Sequence, residues 1–310
     1  MRLRRRQFLI LASATAMPLG LPARAAGGQD LVWRGTALGA DAEIRLTGIA
    51  PEVATSLLKR VAAETERLEG IFSLYRPESE LSRLNRDGVL LRPSQDFRLL
   101  LEASLDYWRR TGGAFNPALQ PVWRFLAEHF AVTQDPPEGK AIQRLLRLCD
   151  PGLIDLSPDR IVLTHGMALS FNGIAQGYVT DRAAQLLRAE GLSDILINLG
   201  EIRALPGKSW RVAVSGGPQM LDLSGRALAQ SAGRGTIFSA DGRWHHLIDA
   251  RTGTSANHVR AVTVIAETAT AADALSTAFF TAPPLARPGL AAAFPGVEVI
   301  WERASDEQRS

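Results

Sequence analysis

Apolar residues fall at helical spacing in four stretches of the chain. Within residues 51–72, Val53, Leu57, Val61 and Leu68 recur near a 3.6-residue period, and Pro51 suits the first position of that helix. Residues 94–110 repeat the pattern with Phe97, Leu100, Leu101 and Leu105, until Gly112-Gly113 stops it. Residues 174–190 predict a third helix ended by Gly191, and residues 268–281 a fourth. Shorter alternating or β-branched runs at 42–46, 161–163, 195–198, 210–214, 226–230, 259–266 and 297–301 read as strands. The strongest hairpin-turn signal, Asp241-Gly242, lies within 237–248, and residues 135–139, with Pro136-Pro137, form a loop. Helices and strands alternate irregularly, without internal repeats. This predicts an α+β (mixed α/β) fold, with mixed and antiparallel sheets flanked by helices, rather than a doubly wound sheet.

Composition narrows the classes. The chain has 310 residues, 46% of them hydrophobic and 22% charged, with one cysteine. That supports a sizeable core and excludes a disulfide scaffold, a coiled coil and a disordered chain. Cys149 has no partner for a disulfide and reads as a small packed residue. The formal net charge is +3, but residues 1–25 hold five arginines and no acid; without them 30 basic and 32 acidic residues remain, a net of −2. The positive charge therefore gives no reason to expect a nucleic-acid partner. Arg4-Arg5-Arg6 precedes Gln7-Phe8-Leu9-Ile10 and an apolar run to Leu21, and Ala23-Arg24-Ala25 offers a cleavage site. The run is too short to span a bilayer, and no cysteine follows it to carry a lipid anchor. The Arg5-Arg6 pair resembles the twin-arginine export signal, an ordinary secretory signal being the alternative. Residues 1–25 are thus expected to be a leader, and 26–310 a single domain exported to the periplasm.

Four segments carry residue types that plain packing does not require. In Phe171-Asn172-Gly173-Ile174-Ala175-Gln176-Gly177-Tyr178, followed by Asp181-Arg182, two glycines sit at the mouth of a helix, where free N–H groups favour phosphate. It is neither a Walker loop nor a dinucleotide fingerprint, and close packing on a sheet explains it as well. In Ala272-Asp273-Ala274-Leu275-Ser276-Thr277, the helical spacing turns Asp273, Ser276 and Thr277 one way. One carboxylate with two hydroxyls suits Mg²⁺ completed by substrate phosphates rather than Zn²⁺; a solvated stripe is the competing reading. Trp244-His245-His246-Leu247-Ile248-Asp249 places adjacent histidines on an expected hairpin strand, so their rings should face opposite ways, one toward a site as base and the other toward solvent. Tyr75-Arg76-Pro77-Glu78-Ser79-Glu80-Leu81-Ser82-Arg83-Leu84-Asn85, together with Gly113-Ala114-Phe115-Asn116-Pro117, offers aromatics for a flat ring, or simply a helix capped by Ser79.

In this order, these segments resemble the ApbE family of FAD:protein FMN transferases. The resemblance runs from Trp33-Arg34-Gly35-Thr36 to Trp301 and includes Asn198-Leu199-Gly200-Glu201-Ile202-Arg203-Ala204-Leu205 and Arg251-Thr252-Gly253. It implies an enzyme that cleaves FAD, attaches FMN through a phosphoester to a Thr or Ser of a target flavoprotein, and releases AMP. It further implies that Asp273 and Thr277 hold Mg²⁺ with Ser276 between them and the backbone carbonyl of Ala175 beside them. Tyr75, Ala114, Phe115, Asn116, Asn172, Tyr178 and Leu247 match FAD-contact positions, and His246 matches the family's base.

The chain departs from the family at Arg34, where Met is common, and at Ser170 and Asn116, where Asp is usual. It also has Gln176 for Lys, a single Gly200 before Glu201, and Ala250 for Pro. The leader and the Phe-Asn-Gly-Ile-Ala-Gln-Gly-Tyr variant are similar to the NosX branch, associated with flavinylation of the membrane flavoprotein NosR in nitrous oxide respiration. The alternatives are a Mg²⁺-dependent FAD pyrophosphatase yielding FMN and AMP, and a periplasmic FAD-binding protein without chemistry. Retention of Asp273, Thr277 and His246 argues against mere storage.

Overall fold

The computed structural model describes residues 31–37, 39–214 and 220–302. Along them run β1 (Leu31–Ala37), β2 (Ala40–Leu46), α1 (Pro51–Phe72), α2 (Glu80–Asp87), β3 (Val89–Leu91), α3 (Gln95–Arg110), α4 (Gln120–Val132) and α5 (Gly139–Leu146). There follow β4 (Asp155–Leu156), β5 (Arg160–Val162), α6 (Ala175–Ala189), β6 (Ile195–Leu199), β7 (Ile202–Ala204), β8 (Trp210–Ala213), β9 (Met220–Leu223) and β10 (Ala227–Ala232). The chain closes with β11 (Ala261–Ala266), α7 (Ala269–Thr281), α8 (Arg287–Ala293) and β12 (Glu298–Glu302). The leader lies outside the described residues.

Seven strands form one sheet in the order β1-β2-β6-β7-β10-β11-β12, with every neighbouring pair antiparallel. Two small antiparallel sheets, β3-β5-β4 and β8-β9, flank it. The α+β expectation holds, and the paired strands among the described residues are all antiparallel. Helix α7 lies on β10 and β11, α6 on β6 and α7, and α1 on α6. Strand β11 is buried at every position because α7 covers one face, while the β8–β9 hairpin brings Trp210, Val212 and Leu223 against Ile265 on the other. Helix α1 begins with Pro51 at its first turn and buries Ala54, Leu57, Leu58, Val61, Leu68, Ile71 and Phe72. Each of its buried leucines contributes about 1.5–3 kcal/mol of transfer free energy. Val53, counted in the apolar period, faces solvent instead. Ser79 caps α2 by accepting from the N–H of Ser82, and Ser94 caps α3 by accepting from that of Phe97.

The structure corrects the expected hairpin. Residues 237–248 form no continuous ladder; only the isolated bridges Ile237–His245 and Ile248–Ser255 appear. The turn does form, with Gly242 N–H donating to the Ser239 carbonyl at 3.0 Å. Its polar side chains then compete with strand pairing: Asp241 accepts from Ser239 Oγ and from the N–H of Arg243. This irregular segment rests on a satellite core, where Phe238 and Ile248 meet Val122, Leu126, Phe130, Ile142 and Cys149. Two helices of that satellite, α4 and α5, have no counterpart in the sequence reading. Helix α4 is apolar around much of its circumference (Val122, Trp123, Phe125, Leu126, Phe130), which blurs its period, and α5 is short. Among the described residues no helix is long and apolar enough to cross a membrane.

Candidate active site

The site is built where α6 crosses α7. A Cβ at Gly177 of α6 would fall on the Ala269 carbonyl and within 2.8 Å of Thr270 Cα, so the two backbones touch only because this residue is glycine. One turn further on, Asp181 accepts from the N–H groups of Ala269 (2.9 Å) and Thr270 (2.8 Å), satisfying donors that the first turn of α7 leaves open. Thr268 completes this start by accepting from the N–H of Ala271 at 3.1 Å. Asp273 then projects back to α6, where its Oδ2 accepts from the N–H of Gly177 at 3.0 Å.

Asp273 and Ser276 are buried, and Thr277 is half-buried on the same face of α7. The spacing argument therefore holds, but the competing picture of a solvated stripe does not. Ser231, at the end of β10, places its Oγ 2.8 Å from Ser276 Oγ and 3.4 Å from Thr277 Oγ1. Ser276 also donates to the Asp273 carbonyl at 2.9 Å, so its hydroxyl braces the cluster. Gly173 presses on Thr277, where a Cβ would come within 2.9 Å of Oγ1. Ala175 is buried in the first turn of α6. Burial pushes the Asp273 carboxyl up to about 7, opposed by the Gly177 N–H and helped by the charge of Asp181. Glu201, in the turn between β6 and β7, is pushed well above the ordinary carboxylate range, first by burial and then by the charge of Asp273. Among the described residues neither carboxylate pairs with a basic side chain. Buried carboxylates and hydroxyls without a counter-charge are a donor set that fits a hard divalent cation.

The histidines do not divide as a strand would require. His245 is the more deeply buried, packing edge-to-face on Phe280 of α7 with ring centroids 5.9 Å apart. His246 is half-buried, with its Nδ1 3.2 Å from both the N and O of Thr236. The rings lie 6.2 Å apart, and the loop after β10 seats both: a Cβ at Gly233 would meet His245 Nε2 at 3.1 Å, and one at Gly235 would meet His246 Cε1 at 2.9 Å. The expected solvent-facing ring is thus absent, because this segment is an irregular loop rather than a strand. Burial, then the neighbouring His245, depress the pKa of His246 to about 4, so its imidazole is neutral at pH 7.

The profile of the ApbE family matches residues 38–301. A protein of Treponema pallidum named FAD:protein FMN transferase is 30% identical over 289 residues, covering 78% of this chain and 79% of its own length. One of the same name from Haemophilus influenzae is 26% identical, with 86% and 85% covered. The chain belongs to the ApbE family. The crystal structure of the Pseudomonas stutzeri flavinyl transferase ApbE in its apo form superposes with a TM-score of 0.77 at 25% identity, covering 90% of this chain and 92% of that one. The ApbE protein of Thermotoga maritima shares the fold, with a TM-score of 0.74 at 24% identity over 91% of this chain and 99% of that one.

The positions expected to contact flavin fall into two groups here. Ala114 and Phe115 join the site: the Ala114 carbonyl accepts from Thr281 Oγ1 of α7 at 2.7 Å, and Phe115 Cε2 lies 3.5 Å from where a Gly173 Cβ would stand. Leu247 is buried beside the histidines and donates its N–H to His245 Nδ1 at 3.3 Å, while Asn172 stands exposed ahead of Gly173. Tyr178 and Asn116 are engaged elsewhere. Tyr178 donates its hydroxyl to Asp96 at 2.7 Å, and Asn116 spends its amide on the Cys149 carbonyl and the N–H of Ala118. Tyr75 is exposed between α1 and α2. Of the departures, Gln176 packs over Gly200, where a Cβ would come within 2.7 Å of its amide. Sequence reading gave Ser231 and Glu201 no role; their one signal was a polar side chain inside or beside an apolar strand.

Proposed function

We propose that this chain is a Mg²⁺-dependent FAD:protein FMN transferase of the periplasm, and that it esterifies FMN onto a Thr or Ser of a target flavoprotein. The observation that carries this reading is the buried Asp273 clasped by Gly177, with Thr277 beside it and a neutral imidazole on the adjoining loop. NosR of nitrous oxide respiration is the candidate target, and export through the twin-arginine route rests on residues 1–25. The names of the curated relatives support the reaction class.

The acceptor hydroxyl is a poor nucleophile and needs a base. His246 takes its proton. The tautomer suited to this donates Nδ1–H to the Thr236 carbonyl and leaves the Nε2 lone pair free. The hydroxyl oxygen bonds to the phosphorus of the FMN half, the bridging P–O bond of the pyrophosphate breaks, and AMP leaves. Mg²⁺, when bound, neutralises the charge that gathers on the pyrophosphate. Asp273 and Thr277 would hold it, and the Ser231–Ser276 pair fixes the helix face that presents them. Positioning and charge stabilisation carry most of the rate, as in other phosphoryl transfers.

Incubation of the purified protein with FAD and Mg²⁺, with and without a Thr-bearing target, tests this. Covalent FMN on the target with matching AMP is expected. Equal release of free FMN in both samples would make the protein a pyrophosphatase, and intact FAD in both would make it a carrier. Asp273→Ala should abolish Mg²⁺-dependent turnover, since hydroxyls alone hold the ion poorly against water.

A further inference from the structure

The loop that follows β10 does more than seat the two histidine rings. Arg234, Gly235, Thr236 and Ile237 are all exposed, and Ile237 leaves 49% of an apolar, β-branched residue in solvent. The chain is extended at this point. Ile237 bridges His245, the Phe238 N–H donates to the Trp244 carbonyl at 2.7 Å, and the His246 N–H donates to the Thr236 carbonyl at 3.0 Å. Backbone groups of an antiparallel pair alternate in direction. Those of Thr236 and Phe238 face the 244–246 segment, so the N–H and carbonyl of Ile237 face outward. Among the described residues neither has a hydrogen-bond partner. The imidazole of His246 folds back over the same loop: its Nδ1 lies 3.2 Å from the Thr236 N, and a Cβ at Gly235 would come within 2.9 Å of Cε1 and 3.3 Å of Nε2. The unpaired edge and the free nitrogen of the base are thus two residues apart on one exposed loop.

We propose that Ile237 is the docking edge for the acceptor protein, whose Thr- or Ser-bearing segment adds to it as an extended strand. This docking rests on the transferase reading, with His246 as its base. The acceptor hydroxyl belongs to a protein chain and must be brought to Nε2. A chain paired with Ile237 runs about 4.8 Å from the loop backbone, so a hydroxyl on its side chain can lean over Gly235 toward that nitrogen. Main-chain pairing holds any extended segment that keeps its N–H, and Ile237 offers an apolar surface to one side chain across the pair. Glycine at 235 suits this arrangement, because a larger residue would press on the imidazole and stand in the approach. A single bridging residue is too little surface to hold two folded copies of the chain together, but it suits an acceptor that must leave after each turnover.

The test reads the KM for the acceptor in FMN transfer, with the Thr-bearing target of the assay above. Ile237→Pro deletes an N–H that no described group of the protein uses. It should raise the acceptor KM at least about tenfold, with FAD affinity and kcat kept, since a carbonyl of the docked segment is left unpaired. Ile237→Ala keeps the N–H and should raise KM less than about fivefold. Thermal melts show whether Ile237→Pro folds. Should it not, a synthetic peptide of the target's acceptor segment decides the matter: N-methylation should block transfer at one amide and spare the amides on either side of it. An unchanged KM in folded Ile237→Pro, or a peptide that tolerates methylation at every amide, would overturn the docking edge while wild-type transfer keeps the transferase reading. A wild-type dimer that becomes monomeric in Ile237→Pro with KM unchanged would give the edge to a second copy and overturn the proposal as well. Absence of FMN transfer by the wild type would remove the transferase reading and the docking edge with it.

Discussion

His246 and His245 sit side by side but are held for different reasons. His246→Ala should slow the chemical step by about 10²–10⁴-fold, the usual worth of a general base, with FAD affinity nearly kept. His245 packs against Phe280 and Gly233, so His245→Ala should lower the melting temperature more than the rate constant. Single-turnover kinetics and thermal melts on both variants separate the two effects. Both imidazoles have pKa values below the ordinary 6.5. The unfolded chain therefore protonates first, and stability is fully present above pH 6.5 and falls as pH drops toward about 4. Melts across that window should show the loss, and His246→Gln should flatten it. Asp273 bears on the proposed metal instead: with its carboxyl raised to about 7, a proton competes with the cation, so Mg²⁺ affinity should also fall as the solution is acidified through neutrality.

The contact between α6 and α7 is the element on which the site depends most directly. Gly177→Ala pushes a methyl group into the Ala269 carbonyl, and overpacking of this kind typically costs about 1–3 kcal/mol. Because the same shift moves Asp273 away from its N–H donor, lost Mg²⁺ binding should accompany the lower melting temperature. Asp181→Ala removes the acceptor of two α7 N–H groups and should cost about 0.5–2 kcal/mol, read in the same melts. Most of this architecture was legible beforehand. Helices α1, α3, α6 and α7 announce themselves by period and by their caps or stops, and the face shared by Asp273, Ser276 and Thr277 follows from helical spacing alone. What escaped has physical causes. The hairpin reading failed because Asp241 and Ser239 bond locally instead of letting strands pair. Helix α4 escaped because aromatics surround it. Glu201 and Ser231 owe their place to long-range packing of β7 and β10 under the helices, which no local pattern encodes.

For the molecule as a whole, destination and assembly matter as much as chemistry. On the proposed twin-arginine reading of residues 1–25, Arg5→Lys with Arg6→Lys preserves charge but breaks a pair that a receptor reads together, so the double variant should stay in the cytoplasm on fractionation. An ordinary secretory leader needs only positive charge and an apolar core, and would still export it. The large sheet carries a second consequence. Its order, β1-β2-β6-β7-β10-β11-β12, never doubles back, so each strand adds to the same advancing edge as it emerges from the ribosome. Six of the seven strands can be in place before α7 exists. The carboxylate that defines the site arrives only with α7, late in synthesis, and finds its N–H donor already waiting on α6. A nascent chain can therefore build most of its scaffold before the proposed metal ligand exists, and competence comes in a single late step.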